Sequence, residues 1–297
     1  MLRQILLLLL LLFCGSTAFA QTKPEAEKKD TTATKEKDAK PKGPKPYKEV
    51  VTEKAVTRVG MLTVHKVEDN YLFEIPDSML GRDIMAITRF VRTPAGAGYG
   101  GEEENRQVIR FEKGPTNKIL LKAIEYVNVS TDTTSPLYEA VRNANMDPIA
   151  AAFDVKAYTD DKKAAVVDMT EFLGGSEPMI SVNSITKQSY NLTDFKKDRS
   201  FIEYIRVYPI NIEVRTVKTY AAKPPALFTG TEKRTPGVTD LPAGLAAGAV
   251  TFEMSTSFIL LPKTPMRKRL QDPRVGYFST RYTVFDEGKQ RAETETF

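Results

Sequence analysis

Histidine is almost missing from this chain: His65 is the only one among 297 residues. A zinc site built on two histidines, the helical H-E-x-x-H motif included, cannot be assembled from these residues. A serine triad would have to use the same imidazole, and there is no G-x-S-x-G turn to carry its nucleophile. Tryptophan is absent, and cysteine occurs once, at Cys14. That thiol lies in a segment with the pattern of a cleaved leader, so the mature chain is expected to have no disulfide, thiolate nucleophile or cysteine metal ligand. Long apolar runs are equally scarce. Ile5 to Cys14 is unbroken, but it is far shorter than the roughly 20 residues of a membrane-spanning helix.

Arg3 ahead of that run and Ala18-Phe19-Ala20 before Gln21 make residues 1–20 a secretory signal peptide. Phe13 is too bulky for the position before a lipid-bearing Cys14. The expected location is therefore the periplasm, the cell surface or the exterior, with no integral membrane span after cleavage. Residues 21–48 are Lys, Glu, Asp, Thr, Ala and Pro without a large aliphatic side chain, which predicts a disordered tether. The tether also explains the pI of about 9.0. Removing the ten basic and five acidic residues of positions 1–48 from totals of 43 and 38 leaves 33 of each sign. A neutral folded part gives no case for nucleic acid.

The remaining 250 or so residues are patterned mostly with period two. Met61–Val67 and Tyr71–Ile75 flank the polar turn Glu68-Asp69-Asn70, which predicts a hairpin. Ile84–Val91 is a further strand. Val108–Phe111 with Ile119–Val129, and Phe153–Tyr158 with Ala164–Met169, form two more hairpins across polar loops. Ile202–Val207 and Ile210–Tyr220 surround Pro209, a strand end, edge or bulge. In Val250–Phe258 the apolar set Val250, Phe252, Met254 and Phe258 falls with Thr256 on one face, and Glu253, Ser255 and Ser257 fall on the other. Ser135-Pro136 opens a helix closed by Pro148, and a second helix is expected around Ser184–Lys197. The expected fold is mainly β, a β-rich α+β protein. Its antiparallel sheets pack as a sandwich or a two-part β assembly with one or two short helices. The expected division is a small β domain over 49–95, a larger one over 96–285, and the start of a truncated continuation over 286–297.

Chemistry-bearing constellations are few. Thr93–Glu104 holds Gly96, Gly98, Gly100 and Gly101, but these lead into Glu102-Glu103-Glu104, which would repel phosphate. A flexible, solvated loop is expected, with calcium at the glutamates the lesser reading. Lys223–Gly248 is a second long loop, rich in Pro, Ala and Gly. His65 sits in an alternating strand and reads as an ordinary half-buried or exposed residue. Gly174-Gly175-Ser176-Glu177-Pro178 and Asp272-Pro273-Arg274-Val275-Gly276 read as turns, and Asp160-Asp161 and Glu102–Glu104 as solvated charge with nothing to raise a pKa. No catalytic, metal-binding or cofactor-binding residue is assigned.

Tyr47-Lys48-Glu49-Val50-Val51, Gly60-Met61-Leu62-Thr63-Val64-His65-Lys66 and Tyr71-Leu72-Phe73-Glu74-Ile75-Pro76 follow one another near the start. Arg199-Ser200-Phe201-Ile202-Glu203, Asn211-Ile212-Glu213-Val214-Arg215, Leu260-Leu261-Pro262-Lys263-Thr264-Pro265-Met266 and Asp272-Pro273-Arg274-Val275-Gly276-Tyr277-Phe278 come later. This ordered series resembles the N-terminal region of secreted zinc-dependent metalloproteases of Bacteroidetes-type bacteria, over roughly Tyr47 to Phe285. In that family, poorly characterised domains precede a metzincin-like catalytic domain carrying H-E-x-x-H. The resemblance implies a non-catalytic region with a scaffold, substrate-presenting or propeptide-like role. Its expected partners are the catalytic domain and peptide or protein substrate. Zinc is expected only in that downstream domain, and the chain alone is expected to be inactive. Ala292–Phe297 alternates like a strand whose partner is missing. The alternative is a stand-alone exported β-rich binding module using the Gly96–Glu104 loop or a groove near Tyr204 and Tyr208. A metal-independent enzyme is the third reading.

Overall fold

A computed structural model describes residues 43–222, 247–264, 266, 267, 269, 272, 274, 276, 279–286 and 289–296. Residues 1–20, expected as a signal peptide, residues 21–42 of the expected tether and residues 223–246 of the second expected loop lie outside them. Alternating apolar residues make strands of most of the rest. After α1 (Tyr47–Val50) and β1 (Val56–Arg58), β2 (Thr63–Val67) and β3 (Asn70–Pro76) form the first expected hairpin, in antiparallel register Val64 to Phe73. β4 (Asp83–Arg92), β5 (Glu103–Lys113) and β6 (Lys118–Ile124) run as an antiparallel meander. Next come β7 (Asn128–Val129) and α2 (Pro136–Ala144), the latter capped by the Ser135 hydroxyl, which accepts from the Leu137 amide. The hairpin of β8 (Ile149–Tyr158) and β9 (Ala164–Asp168) then inserts between β6 and β3. Its turn, like those of the other two predicted hairpins, holds a residue at positive φ: Lys162 at 56°, Asn117 at 54° and Glu68 at 54°.

α3 (Thr170–Gly174), α4 (Ser184–Ser189) and β10 (Leu192–Phe195) lead to three strands, β11 (Phe201–Val207), β12 (Asn211–Ala222) and β13 (Ala249–Leu260). One twelve-stranded sheet results, ordered β1-β2-β3-β9-β8-β6-β5-β4-β13-β12-β10, with β11 also paired to β12. β14 (Ser279–Asp286) and β15 (Lys289–Thr296) form a smaller sheet with β7. The protein is mainly β, as its patterning requires. β4 is hydrogen-bonded to β5 on one edge and β13 on the other, so the large sheet passes straight across position 95/96. Residues 42–297 cluster as one unit.

The large sheet curls until its ends meet. The Met61 amide donates to the Tyr208 carbonyl at 2.7 Å, and the Arg58 guanidinium donates to the Ile205 carbonyl at 2.9 Å. Inward residues of β2, β3, β4, β5, β6, β8, β9, β11, β12 and β13 share one apolar core that includes Phe73, Ile84, Ile109, Leu121, Val167, Ile212 and Phe258. Phe172 and Leu173 of α3 enter the same core. Curling lets these ten strands bury one face without a second covering sheet, while β1 stays exposed at the edge. A second cluster, with Phe90, Tyr220, Phe252 and Met254, continues the interior under Ala97 and Val182.

Four expectations are corrected. Residues 43–48 belong to the folded unit: Lys45 donates its amide to Lys156, and Tyr47 and Val50 pack on Leu72 and Val166. The second helix stops at Ser189, because Asn191 takes φ 51° and Leu192 joins β12 as part of β10. The Gly96–Glu104 loop is mostly exposed, as expected, but is anchored to the sheet rather than free. Ala97 is fully buried, and Phe90 exchanges backbone hydrogen bonds with Gly101 and Glu102. The last strand has its partner within the chain, since β15 pairs antiparallel with β14 from Ser279 to Asp286. Among the described residues no helix is long and apolar enough to cross a membrane.

Candidate functional site

β8 and α3 make one side of an open groove of about 1100 Å³. Ala150, Ala151, Ala152 and Phe153 of β8 form its floor, and Phe201 and Ile202 at the start of β11 face them. Gly174, Gly175 and Ser176 lie at the end of α3. Gly175 is required there, because a Cβ would stand 2.6 Å from the Glu171 carbonyl oxygen. The walls carry charge of both signs, including Lys66, Asp69, Lys156 and Glu177, and part of it is paired. Asp154 pairs with Lys118 at 2.5 Å and Lys197 with Glu171 at 3.0 Å, while Asp168 accepts from the Thr170 amide and hydroxyl.

Ser176 links the groove to a buried polar cluster. Its hydroxyl lies 3.1 Å from the Tyr220 hydroxyl, which is 2.5 Å from Ser181, and the Lys187 ammonium donates to Ser176 at 3.4 Å. Behind them Lys218 is fully buried and donates to the Ile180 carbonyl at 2.9 Å. Burial pushes the Lys218 amine down to about 7, against the attraction of Glu177. Burial also lowers Lys187, with Glu104 opposing. The Thr216 hydroxyl on the same inward face has no hydrogen-bond partner. Sequence reading missed Lys218, yet strand parity carried the signal: Ile212, Val214, Thr216, Lys218 and Tyr220 alternate onto one face of β12.

Glu104 is a second buried charge and corrects the reading of Glu102–Glu104 as solvated. Its carboxylate accepts from the Asn183 amide at 2.7 Å and the Thr186 hydroxyl at 3.1 Å, at the start of α4. Burial raises its pKa despite those hydrogen bonds. His65 is likewise buried, at 2% exposure, rather than half-buried or exposed. Its Nε2 lies 2.8 Å from Glu74 Oε1 and its Nδ1 2.8 Å from the Thr57 hydroxyl, and Tyr47 of α1 donates to the same Glu74 oxygen. A carboxylate only accepts, so Nε2 donates to Glu74. Hydroxyl, imidazole and carboxylate stand in the order of a nucleophilic triad. They lie apart from the groove, however, and Tyr47 closes the far end. The arrangement clamps α1 to the outer face of β2 and β3.

Tyr204 and Tyr208 do not line the groove. The Tyr204 ring takes the Arg206 and Arg215 guanidinium groups at 4.5 and 5.5 Å, and Tyr208 accepts the closing hydrogen bond from Met61. At the Asp272–Gly276 turn the Asp272 carboxylate accepts the Arg274 amide at 2.9 Å, and Pro273 and Val275 lie outside the described residues. Among the described residues no three His, Cys, Asp or Glu side chains gather as a metal site would require.

No curated protein and no solved structure matches the chain. Residues 44–93 match a family described as domain of unknown function DUF5118. Residues 101–297 match another, described as domain of unknown function DUF5117, and the two matches meet at the anchored glycine loop. The second match covers well over half of the chain, which therefore belongs to the DUF5117 family.

Proposed function

We propose that this chain is a non-catalytic N-terminal region of an exported zinc-dependent metalloprotease, and that its groove holds polypeptide for a downstream catalytic domain. The observation that carries the reading is the groove itself. At about 1100 Å³ it is open and larger than the roughly 300–1,000 Å³ of a small-molecule pocket, and its walls mix apolar side chains with charge of both signs. The ordered sequence blocks from Tyr47 to Phe278 supply the link to the protease family. The zinc would belong to the catalytic domain, and the proposed location is the periplasm or cell surface.

Two experiments test this. Coding sequence beyond Phe297 should carry H-E-x-x-H in frame or just past a frameshift; an unrelated gene there would favour a stand-alone binding module. The purified chain, supplied with zinc, should bind an unfolded protein without cleaving it. Chelator-sensitive cleavage would overturn the non-catalytic assignment.

A further inference from the structure

We propose that the groove recognises polypeptide backbone by strand addition: an extended, charge-poor segment pairs with the free edge of β8 along Ala150–Asp154. This rests on the groove reading above and names its recognition chemistry. β8 changes neighbours half-way along. Ile149–Asp154 pair with β6, whereas Val155, Ala157 and Tyr158 pair with β9 on the opposite edge. β9 ends at Asp168 and the chain turns into α3, so the first half of β8 has a strand on one side only.

The direction of the free groups follows from one hydrogen bond. The Val155 amide donates to the Asn117 carbonyl at 2.9 Å, on the β6 side. Alternate residues of a strand address alternate edges. Asp154 and Ala152 therefore turn their N–H and C=O groups away from β6, toward the groove that both residues line. The Asp154 carbonyl is taken there, since the Val155–Val167 pairing places the Asp168 amide on it, whereas Ala152 lies beyond the β9 ladder. The N–H and C=O of Ala152, with the Asp154 N–H beside them, are a template for another extended chain.

Edges of this kind are ordinarily blunted by lysine, proline or a covering element. Here three consecutive alanines leave the backbone accessible, and Gly174 and Gly175 keep the far wall open. Five residues of strand span roughly 17 Å, enough to hold a segment of about that length. Phe201, 55% exposed, and Ile202 offer apolar contact to its side chains. Asp154 and Lys197 are already paired, and the backbone of β8 supplies the strand-spaced donors and acceptors that read the guest.

The test uses the full chain and reduced, carboxamidomethylated α-lactalbumin, a permanently unfolded probe. Hydrogen exchange should slow at least tenfold at the Ala152 and Asp154 amides on binding. Ala152→Pro should weaken binding at least tenfold with little change in melting temperature, because that amide lies beyond the β9 ladder and faces away from β6. The exchange measurement on the unmodified chain decides the matter if the proline variant does not fold. Loss of binding in Phe201→Asp, with exchange at Ala152 and Asp154 unchanged, would overturn strand addition and leave the groove reading standing. No binding at all would overturn both. Protection of these amides by self-association without the probe would assign the edge to a second copy of the chain and overturn the proposal.

Discussion

Gly60 lies against the Tyr208 carbonyl so closely that a Cβ on it would stand 2.5 Å from the oxygen and 2.7 Å from Cγ1 of Val207. This is where the curled sheet closes, and the adjoining Met61 amide makes the closing hydrogen bond to that same oxygen. Gly60→Ala forces backbone apart, which costs about 1–3 kcal/mol. Thermal melting should fall by a few to about 10 °C. An unchanged melt would show that the closure yields without cost.

Lys218 makes stability depend on alkaline pH. Its folded value of about 7 lies below the unfolded 10.5, so the unfolded chain binds more protons between the two. Stability from this group is complete above 10.5 and is lost as pH falls toward 7, by roughly 5 kcal/mol at the upper bound. Lys218→Met removes the penalty. The variant should melt higher than the parent at pH 7, and the gap should shrink by pH 10. Equal melting of the two at pH 7 would contradict this.

Glu74 gives the opposite test at acid pH. Burial favours its protonated form, but hydrogen bonds from His65 and Tyr47 outweigh that and hold its pKa below the ordinary 4.5. Its contribution is present above 4.5 and lost as pH falls through the lower folded value. Glu74→Gln should cost about 2 kcal/mol at pH 7 and less at pH 3. Denaturant titrations at the two pH values measure the difference, and Tyr47→Phe should cost about 1 kcal/mol through the same hydrogen bond.

Glu104 behaves differently although it too is a bonded carboxylate. Burial raises its pKa, so its contribution is complete below the unfolded value and is lost as pH rises through the folded one. Glu104→Gln keeps an acceptor for the Asn183 amide and should raise the melting temperature by a few degrees at pH 8, with little change at pH 4. A lower melting temperature at pH 8 would mean that the charge on this side chain is needed to hold α4.

The strands were legible because their determinants are local. Val250, Phe252, Met254, Thr256 and Phe258 alternate, and each is buried on β13 as that alternation requires. Polar turns at Glu68–Asn70 and Asp160–Lys163 marked two hairpins, and Ser135 with Pro136 marked the start of α2. The helix expected over Ser184–Lys197 failed on a non-local cause. Leu192 and Phe195 are taken by the edge of β12, and a strand pairing of that kind overrides a helical pattern.

What the sequence by itself determined was composition and period. One histidine and one cysteine exclude whole classes of metal and nucleophile chemistry, and period-two patterning sets a mainly β fold. Only the tertiary structure decided which sites those strands enclose. Insertion of β8 and β9 between β6 and β3 leaves half of β8 with a free edge, α1 covers His65, and the segment from Ile180 to Thr186 covers Lys218 and Glu104. Burial and edge pairing depend on neighbours distant in the chain, such as Lys218 beneath Ile180 or Glu104 against Asn183. The alternation of a single strand carries no record of which other strand, if any, will lie beside it.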